Sequence, residues 1–450
     1  MKIHSITLKN TAHFSQLQLQ FFTTDPAITL IIGEQSSGKT TLLKHTYHAL
    51  TWFCARYKDL RTAGVVMLDH EIKREMQQSK IEIEVIFPAE IGSLEESSTV
   101  QTLPMQHCVW QLYKTQSQNG VGISKGNIAQ LEQLVMLYHK AVARDPLQGL
   151  PMIAYYPAER FVNEMNLLSK NNPAIFQSSH AYELVSMPYT TFSRFFEWLR
   201  EVHDIENAQM AQRLQQLMLD PNSTSLNLAL QEQRSSPHLQ ALRESLHTVL
   251  PELTDIRLHY QPKLQLVVTY AGQEVLYQQL SHSIRNWIAL VGDIVRRLCI
   301  LNPKHLYPCL EGEGVLMIDA IDYQLDQAHC AEILPRLHEA FPRLQIIATA
   351  TRMDMLEHNA HYQCLRLTQR QLHPIELQPL QSQFDQIYEN LLQDHSDHAS
   401  EMLPILETDE QRLENLLQQI QNELSNEQQQ ELIRRLDGGS NFKTQVEANE

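Results

Sequence analysis

Residues 2–22 alternate apolar and polar positions, with Ile3, Ile6, Leu8, Leu17, Leu19 and Phe21 on one side. This period of two predicts an antiparallel strand pair with one buried face. Ala27–Ile32 is instead apolar at every position but Thr29 over a strand length, the pattern of a strand covered on both faces. Thr41–Leu50 then takes up a helical period. Alternation returns at Ile81–Phe87 and Cys108–Tyr113, with a loop beginning at Ile91 between them. Residues 126–144 read as a helix with Leu131, Leu134, Val135 and Tyr138 on one face, and Leu150–Arg160 reads as a buried strand running into a loop.

Residues 189–250 are mainly helical, broken at Pro221-Asn-Ser-Thr-Ser, and their last helix starts at Ser235-Ser-Pro237. Trp198 and the neighbouring Phe residues recur at helical spacing and read as core. Strand patterns return over 255–280. Leu280–Leu298 is a predicted helix with Ser281 as N-cap. Gly314–Asp319 is a buried strand ending in a carboxylate, residues 326–341 a helix, and Leu344–Thr349 a further buried strand. Residues 381–436 read as a Gln- and Glu-rich helix, and the chain from Gly438 onward as disordered.

Buried strands alternating with helices predict an α/β fold: a mostly parallel sheet with helices, ligands gathering at the strand C-termini, plus an antiparallel β-subdomain. Four regions are expected: 1–160 and 255–375 as two lobes of one core, 161–254 as a helical insertion, and 376–450 as an acidic helical tail. No internal repeat stands out, and no heptad run is long enough for a coiled-coil arm.

The chemistry concentrates where the apolar run Ala27–Ile32 ends. Gly33-Glu34-Gln35-Ser36-Ser37-Gly38-Lys39-Thr40 fits G-x-x-x-x-G-K-[ST], and Thr41 opens the helix behind it. Small residues let the backbone fold so that successive N–H groups face phosphate oxygens. Lys39 can reach the β- and γ-phosphates, and the Thr40 hydroxyl can ligate Mg²⁺. The helix N-terminus adds partial positive charge beneath them. ATP with Mg²⁺ is the expected ligand pair.

Charge and composition bound the rest. Of 450 residues, 43% are hydrophobic, ordinary for a globular protein, and no apolar run is long enough for a membrane span. The six cysteines are scattered without a C-x-x-C pair, and the N-terminus lacks a signal-peptide pattern, so a reduced, cytoplasmic chain is expected. The net charge of −16 is uneven: from Gln371 onward sixteen Asp/Glu face four Lys/Arg. The body is therefore near neutral, which does not support uniform nucleic-acid binding, though a local basic groove in a dimer stays open. His358-x-x-His361-x-x-Cys364 has metal-like spacing but no obvious fourth ligand. Asp322 and Asp326 could replace a missing carboxylate, but read more simply as surface residues. Asp394–His398 reads as a solvated loop.

Taken in order, these segments resemble a known family over nearly the whole chain. Its landmarks are the opening strand pair, the phosphate loop, Tyr155–Arg160, Phe195–Asn207, Leu280–Arg297, Leu301–Pro303, Gly314–Asp319 and Phe341–Thr351. The pattern is similar to bacterial AAA-family ATPases of the ABC/SMC/RecF class, the "predicted ATP-binding protein involved in virulence" type, with relatives in Septu and retron anti-phage systems. The resemblance implies an ABC-type P-loop head that binds ATP and pairs with a second head as a homodimer or higher oligomer. It also implies a protein effector, a nuclease or toxin, encoded nearby. By position it makes Asp319 similar to the Walker B aspartate that orients Mg²⁺. It makes Ser281-His282-Ser283 similar to the signature that contacts the γ-phosphate of the opposite subunit. Arg160 stands in the Q-loop region, with a phosphate- or partner-sensing role expected.

The departures are specific. Ala320 stands where the family has the catalytic Glu, Thr351 where it has the switch His, Ser283 where the signature has Gly, and Gln35-Ser36 where the loop has Asn-Gly. Two functions from different classes follow. One is a nucleotide-switched head with weak or absent hydrolysis that controls an effector in a defence system. The other is an active ATPase working on DNA, as in RecF- or OLD-like repair and nuclease enzymes. The segment after residue 375 is too short and too poor in clustered carboxylates for an OLD-type two-metal nuclease. A purely structural subunit is argued against by the intact phosphate loop.

Overall fold

The alternating N-terminal segment forms a hairpin of β1 (Lys2–Thr11) and β2 (Phe14–Gln20). It is followed by β3 (Ile28–Ile32), buried at every residue, and by α1 (Lys39–Lys58). The computed structural model describes residues 1–94, 105–117, 122–145, 147–160, 162, 181–182, 192–219, 236–323, 325–356 and 362–375. Two long strands, β4 (Gln78–Pro88) and β5 (Met105–Thr115), and a short β6 (Ile123–Asn127) complete an antiparallel sheet of order β2-β1-β4-β5-β6. Its register places Leu19, Ile6, Ile83 and Trp110 on one rung and Leu17, Leu8, Ile81 and Leu112 on another. All eight are buried, as the period of two requires of a sheet with one covered face.

α2 (Ala129–Arg144) packs on β5 and α1, and β7 (Met152–Tyr156) follows. The strand β6 takes residues 123–127, so the helix expected from 126 begins three residues later. α3 (Ser193–Leu219) and α4 (Pro237–Val249) are the described helices of the expected insertion. A small antiparallel sheet comes next: β8 (Leu253–His259), β9 (Gln265–Tyr270) and β10 (Gln273–Leu276). Then come α5 (His282–Leu301), α6 (Pro308–Glu311), β11 (Gly314–Ile318), α7 (Gln327–Ala340), β12 (Leu344–Ala350), β13 (Gln363–Thr368) and β14 (Gln371–Pro374).

The central sheet has the order β14-β13-β3-β12-β11-β7, parallel throughout except for the β14 edge. The fold is α/β, a mostly parallel sheet with helices and an added antiparallel sheet. β3 and β11 flank β12, and the register aligns Ile32 with Ala350 and Ile318 with Ala348. The phosphate loop and the carboxylate at the end of β11 therefore emerge from the same end of the sheet.

Two buried polar anchors join the layers. The Gln345 side chain on β12 accepts from Ile3 N at 2.6 Å and donates to Ile3 O at 2.8 Å, tying the antiparallel sheet to the parallel one with its amide satisfied. Asp293 on α5 accepts from Arg296 at 2.9 Å, Arg297 at 2.8 Å and the Tyr156 hydroxyl at 2.9 Å, seating α5 on β7. The described residues all fall within one compact unit. The expected tail helix and the Asp394–His398 loop lie outside the described residues. All six cysteines are buried and none is in a disulfide, and no described helix is long and apolar enough to cross a membrane.

Candidate functional site

The loop after β3 turns on two residues of positive φ, Ser36 at 63° and Gly38 at 112°. A Cβ at Gly38 would lie 2.7 Å from the Phe14 ring and 2.8 Å from His13 Nε2, so glycine is needed there for space as well as for φ. Ser36 occupies a left-handed position where the resembling family has Gly, a conformation short polar residues tolerate better than bulky ones. Gly38 caps α1 without a side-chain hydrogen bond, and no acidic residue occupies the first turn. The first N–H groups of such a helix project toward the loop, the arrangement that favours an anion. The helix starts at Lys39 and runs to Lys58, longer at both ends than its hydrophobic period indicates.

Lys39 is 9% exposed, and its ammonium donates to Gly33 O at 2.7 Å and Glu34 O at 2.8 Å. Burial lowers its pKa, while Asp319 and Asp322 act against the shift. The lysine of the loop and the carboxylates after β11 thus form one electrostatic cluster. Thr40 is exposed, as a ligand-facing hydroxyl must be. Within the loop, the Ser37 hydroxyl is buried with no hydrogen-bond partner.

Asp319 is 1% exposed. Its Oδ1 accepts a hydrogen bond from the Thr349 hydroxyl, while its Oδ2 is buried and has no partner. An ionised oxygen in that position is costly unless a cation meets it. Together with the Thr40 hydroxyl it makes an oxygen-only donor set, which suits Mg²⁺. The residues therefore fit the metal the phosphate loop implies.

The segment that follows is firmly held. Ala320 adopts φ 45°, donates its N–H to Thr349 Oγ1 at 2.9 Å and offers no carboxylate. Arg160 is buried and spans the turn: NH1 donates to Asp319 O at 2.6 Å and Pro157 O at 3.1 Å, and NH2 to Ala320 O at 2.9 Å. Burial pulls the Arg160 pKa down to about 10, against the attraction of Asp319 and Asp322.

Asp322 departs from its expected surface role. It is 5% exposed, and its Oδ2 accepts from Thr351 N at 2.8 Å, Thr351 Oγ1 at 2.7 Å and Arg352 N at 2.9 Å. Three donors at the end of β12 satisfy the carboxylate and draw it inside. Thr351, at the position of the family's switch His, is thereby tied to the turn after β11. Asp326 keeps to the surface, capping α7 through His329 N at 2.8 Å.

Ser281 caps α5, its hydroxyl accepting from Ile284 N at 3.3 Å, and its side chain is exposed. Ser283 is half-buried in the first turn of the helix. Asn286 accepts from Val162 N at 3.2 Å, so the start of α5 adjoins the segment that carries Arg160. Cys364 is buried in β13, whereas His358 and His361 lie outside the described residues. Sequence reasoning missed Thr349, which bridges Asp319 and Ala320; its only signal is a hydroxyl inside a mostly apolar buried strand.

The chain is similar to several known proteins. The sequence profile of the AAA domain matches residues 5–254. The chain is 25% identical over 397 residues to Retron Ec83 probable ATPase of Escherichia coli, covering 78% of this chain and 68% of that protein. It is 24% identical over 377 residues to Retron Vc95 probable ATPase of Vibrio cholerae serotype O1 biovar El Tor, covering 77% and 70%. Among solved structures, an SMC head bound to the C-winged-helix domain of ScpA aligns with a TM-score of 0.43 at 13% identity, over 84% of this chain and 99% of that one.

Proposed function

The chain belongs to the AAA domain family, and on that premise we propose that it is a nucleotide-switched ATPase head. It binds ATP with Mg²⁺ through Gly33–Thr41, pairs with a second head on doing so, and thereby controls a protein effector. Its similarity to two retron ATPases supports an anti-phage setting. Hydrolysis is very slow or absent, so ATP acts as a ligand.

One observation carries the reading. Lys39 and Asp319 share one electrostatic cluster, while the neighbouring positions for water activation hold Ala320 and Thr351. The Thr40 hydroxyl and Asp319 Oδ2 are the oxygens that would hold Mg²⁺, which when bound neutralises phosphate charge. The loop N–H groups and Lys39 bind and orient the phosphates. Thr349 and Arg160 keep Asp319 aimed, through its hydroxyl and its clamp on the following carbonyls. Attack on the γ-phosphate needs a group that orients and polarises water, worth about 10²–10⁴-fold. A methyl group at 320 can do neither, and Asp322 Oδ2 is committed to Thr351 and Arg352. The product is a long-lived ATP-bound form, stabilised by ligand linkage.

Pairing of heads follows from the exposed cap at Ser281. A helix start is an anion site, and Ser281 facing the partner's nucleotide would complete it by isologous contact. Sedimentation velocity with ATP and Mg²⁺ tests this. Wild type should shift from monomer to dimer. Ser281→Asp keeps a capping oxygen but sets a negative charge against the opposite γ-phosphate, so it should bind ATP and stay monomeric. A variant that dimerises as well as wild type would remove Ser281 from the interface.

A further inference from the structure

Away from the phosphate loop, α1 carries a second constellation. His45 and His48 are one turn apart on the helix, so their rings share one face. Glu71 comes from a short turn at Asp69–Glu71. One ligand atom from each of the three lies within 4.8 Å of the others. His45 is 1% exposed and Glu71 6%. The Nδ1 atoms of both histidines are buried without any hydrogen-bond partner.

Two orphaned imidazole nitrogens beside a buried carboxylate are costly as plain core residues, since each unpaired polar atom forfeits its hydration. Burial pushes both imidazoles down to about 4, so they are neutral at physiological pH with lone pairs available. Burial alone would raise the Glu71 pKa, but the Leu68 N–H, His45 and Lys44 together hold it below the ordinary range. Glu71 Oε2 accepts from Leu68 N at 2.9 Å, and Oε1 from Lys44 at 3.1 Å. Lys44 is nearly half exposed and can swing into solvent, freeing Oε1 for another cation. His13 is the remaining titratable neighbour of His45.

We propose that His45, His48 and Glu71 form a binding site for a divalent transition-metal cation, zinc being the best fit. Two imidazole nitrogens and one carboxylate oxygen are a donor set that zinc takes, with water completing four-coordination. Imidazole excludes Mg²⁺ and Ca²⁺, so this site is chemically distinct from the one at Thr40 and Asp319. Its place in the fold gives it a consequence. Glu71 O accepts from Ala12 N at 2.5 Å and Lys73 N donates to Asn10 O at 2.9 Å, so the turn is stitched to the β1–β2 turn. His13 of that turn abuts Gly38. A cation at the three residues would brace the helix that begins at Lys39 against the strands that wall its loop.

The full chain, stripped with a chelator and dialysed against Zn²⁺ in excess Mg²⁺ without nucleotide, tests the site by metal analysis and by thermal unfolding. Wild type should take up one Zn²⁺ at this site and melt higher with it. Replacing Zn²⁺ by Co²⁺ should give the visible absorption of low-coordinate cobalt. His48→Gln and Glu71→Gln remove one ligand each with little change of shape, and each should weaken Zn²⁺ binding at least about 100-fold. Lys39→Ala should leave it unchanged, which separates this site from the nucleotide site. Absence of Zn²⁺ uptake by wild type, or undiminished uptake by both folded glutamine variants, would overturn the proposal.

Discussion

Two segments flank the C-terminal end of β12 and present opposite chemistry. On one side the phosphate loop has positive-φ turns at Ser36 and Gly38, a buried Lys39 and an exposed Thr40. On the other, the turn after β11 keeps Asp319 but follows it with Ala320, and the end of β12 presents Thr351. The second segment has not decayed. Thr349, Arg160 and Asp322 hold it through seven hydrogen bonds to Asp319, Ala320, Thr351 and Arg352. On the proposed function, the contrast makes binding and turnover separable in this fold. Binding is spread over many contacts, whereas water activation rests on one or two side chains that can be lost while their backbone stays in place.

The largest expected effect falls on the scaffold both segments share. Burial alone would raise the pKa of Asp293, but Arg296 and Arg297 hold it well below the ordinary carboxylate range, and Tyr156 faces it from β7. Asp293→Ala leaves two buried guanidinium groups without their partner, which typically costs about 3–5 kcal/mol. Calorimetric unfolding should show that loss. The sign with pH follows from the depressed pKa. The unfolded chain takes up this proton near pH 4, so the contribution is complete above that value and is lost as pH falls below it. Wild type should therefore lose this stability below about pH 4, and the variant should lack that step. Equal stability of the two proteins at pH 7 would break the claim that α5 is seated by this cluster.

Lys39→Ala comes next. A hydrogen bond to a charged group contributes about 1.5–3 kcal/mol, so loss of the ammonium should weaken ATP binding by about 100-fold. Titration calorimetry measures it, and equal affinity would remove the loop from the account. Ala320→Glu sharpens the other side of the comparison with a smaller effect. It supplies a carboxylate, but on a left-handed backbone that sets its direction, and without a histidine at 351. Turnover should rise by less than the about 10²–10⁴-fold that a well-placed general base gives. A full rise to that range would show the turn to be already built for hydrolysis.

Much of this was legible in the sequence because it is local. A mostly apolar run before G-x-x-x-x-G-K-T places β3 and α1, and the alternation at 81–87 and 108–113 marks β4 and β5. The N-cap at Ser281 is likewise a short-range pattern, and the structure has it. What sequence did not give depends on strands far apart in the chain becoming neighbours. Thr349 bonds Asp319 because β12 lies beside β11, and Asp322 is interior because the end of β12 supplies its donors. Arg160 meets Asp319 and Ala320 across the β7–β11 pairing, so these two carbonyl partners have no signature within its own segment. The His45, His48 and Glu71 cluster was also missed, since Glu71 lies in a turn with no pattern of its own.

The central claim is that this head holds ATP without consuming it. Single-turnover kinetics on the purified full chain, with radiolabelled ATP, Mg²⁺ and enzyme in excess, test it most directly, with Lys39→Ala as the control for contaminating activity. The account predicts that wild type retains intact ATP over many minutes, hydrolysing no faster than the control. Turnover near about 1 s⁻¹, an ordinary rate for an enzyme, that disappears in Lys39→Ala would contradict it.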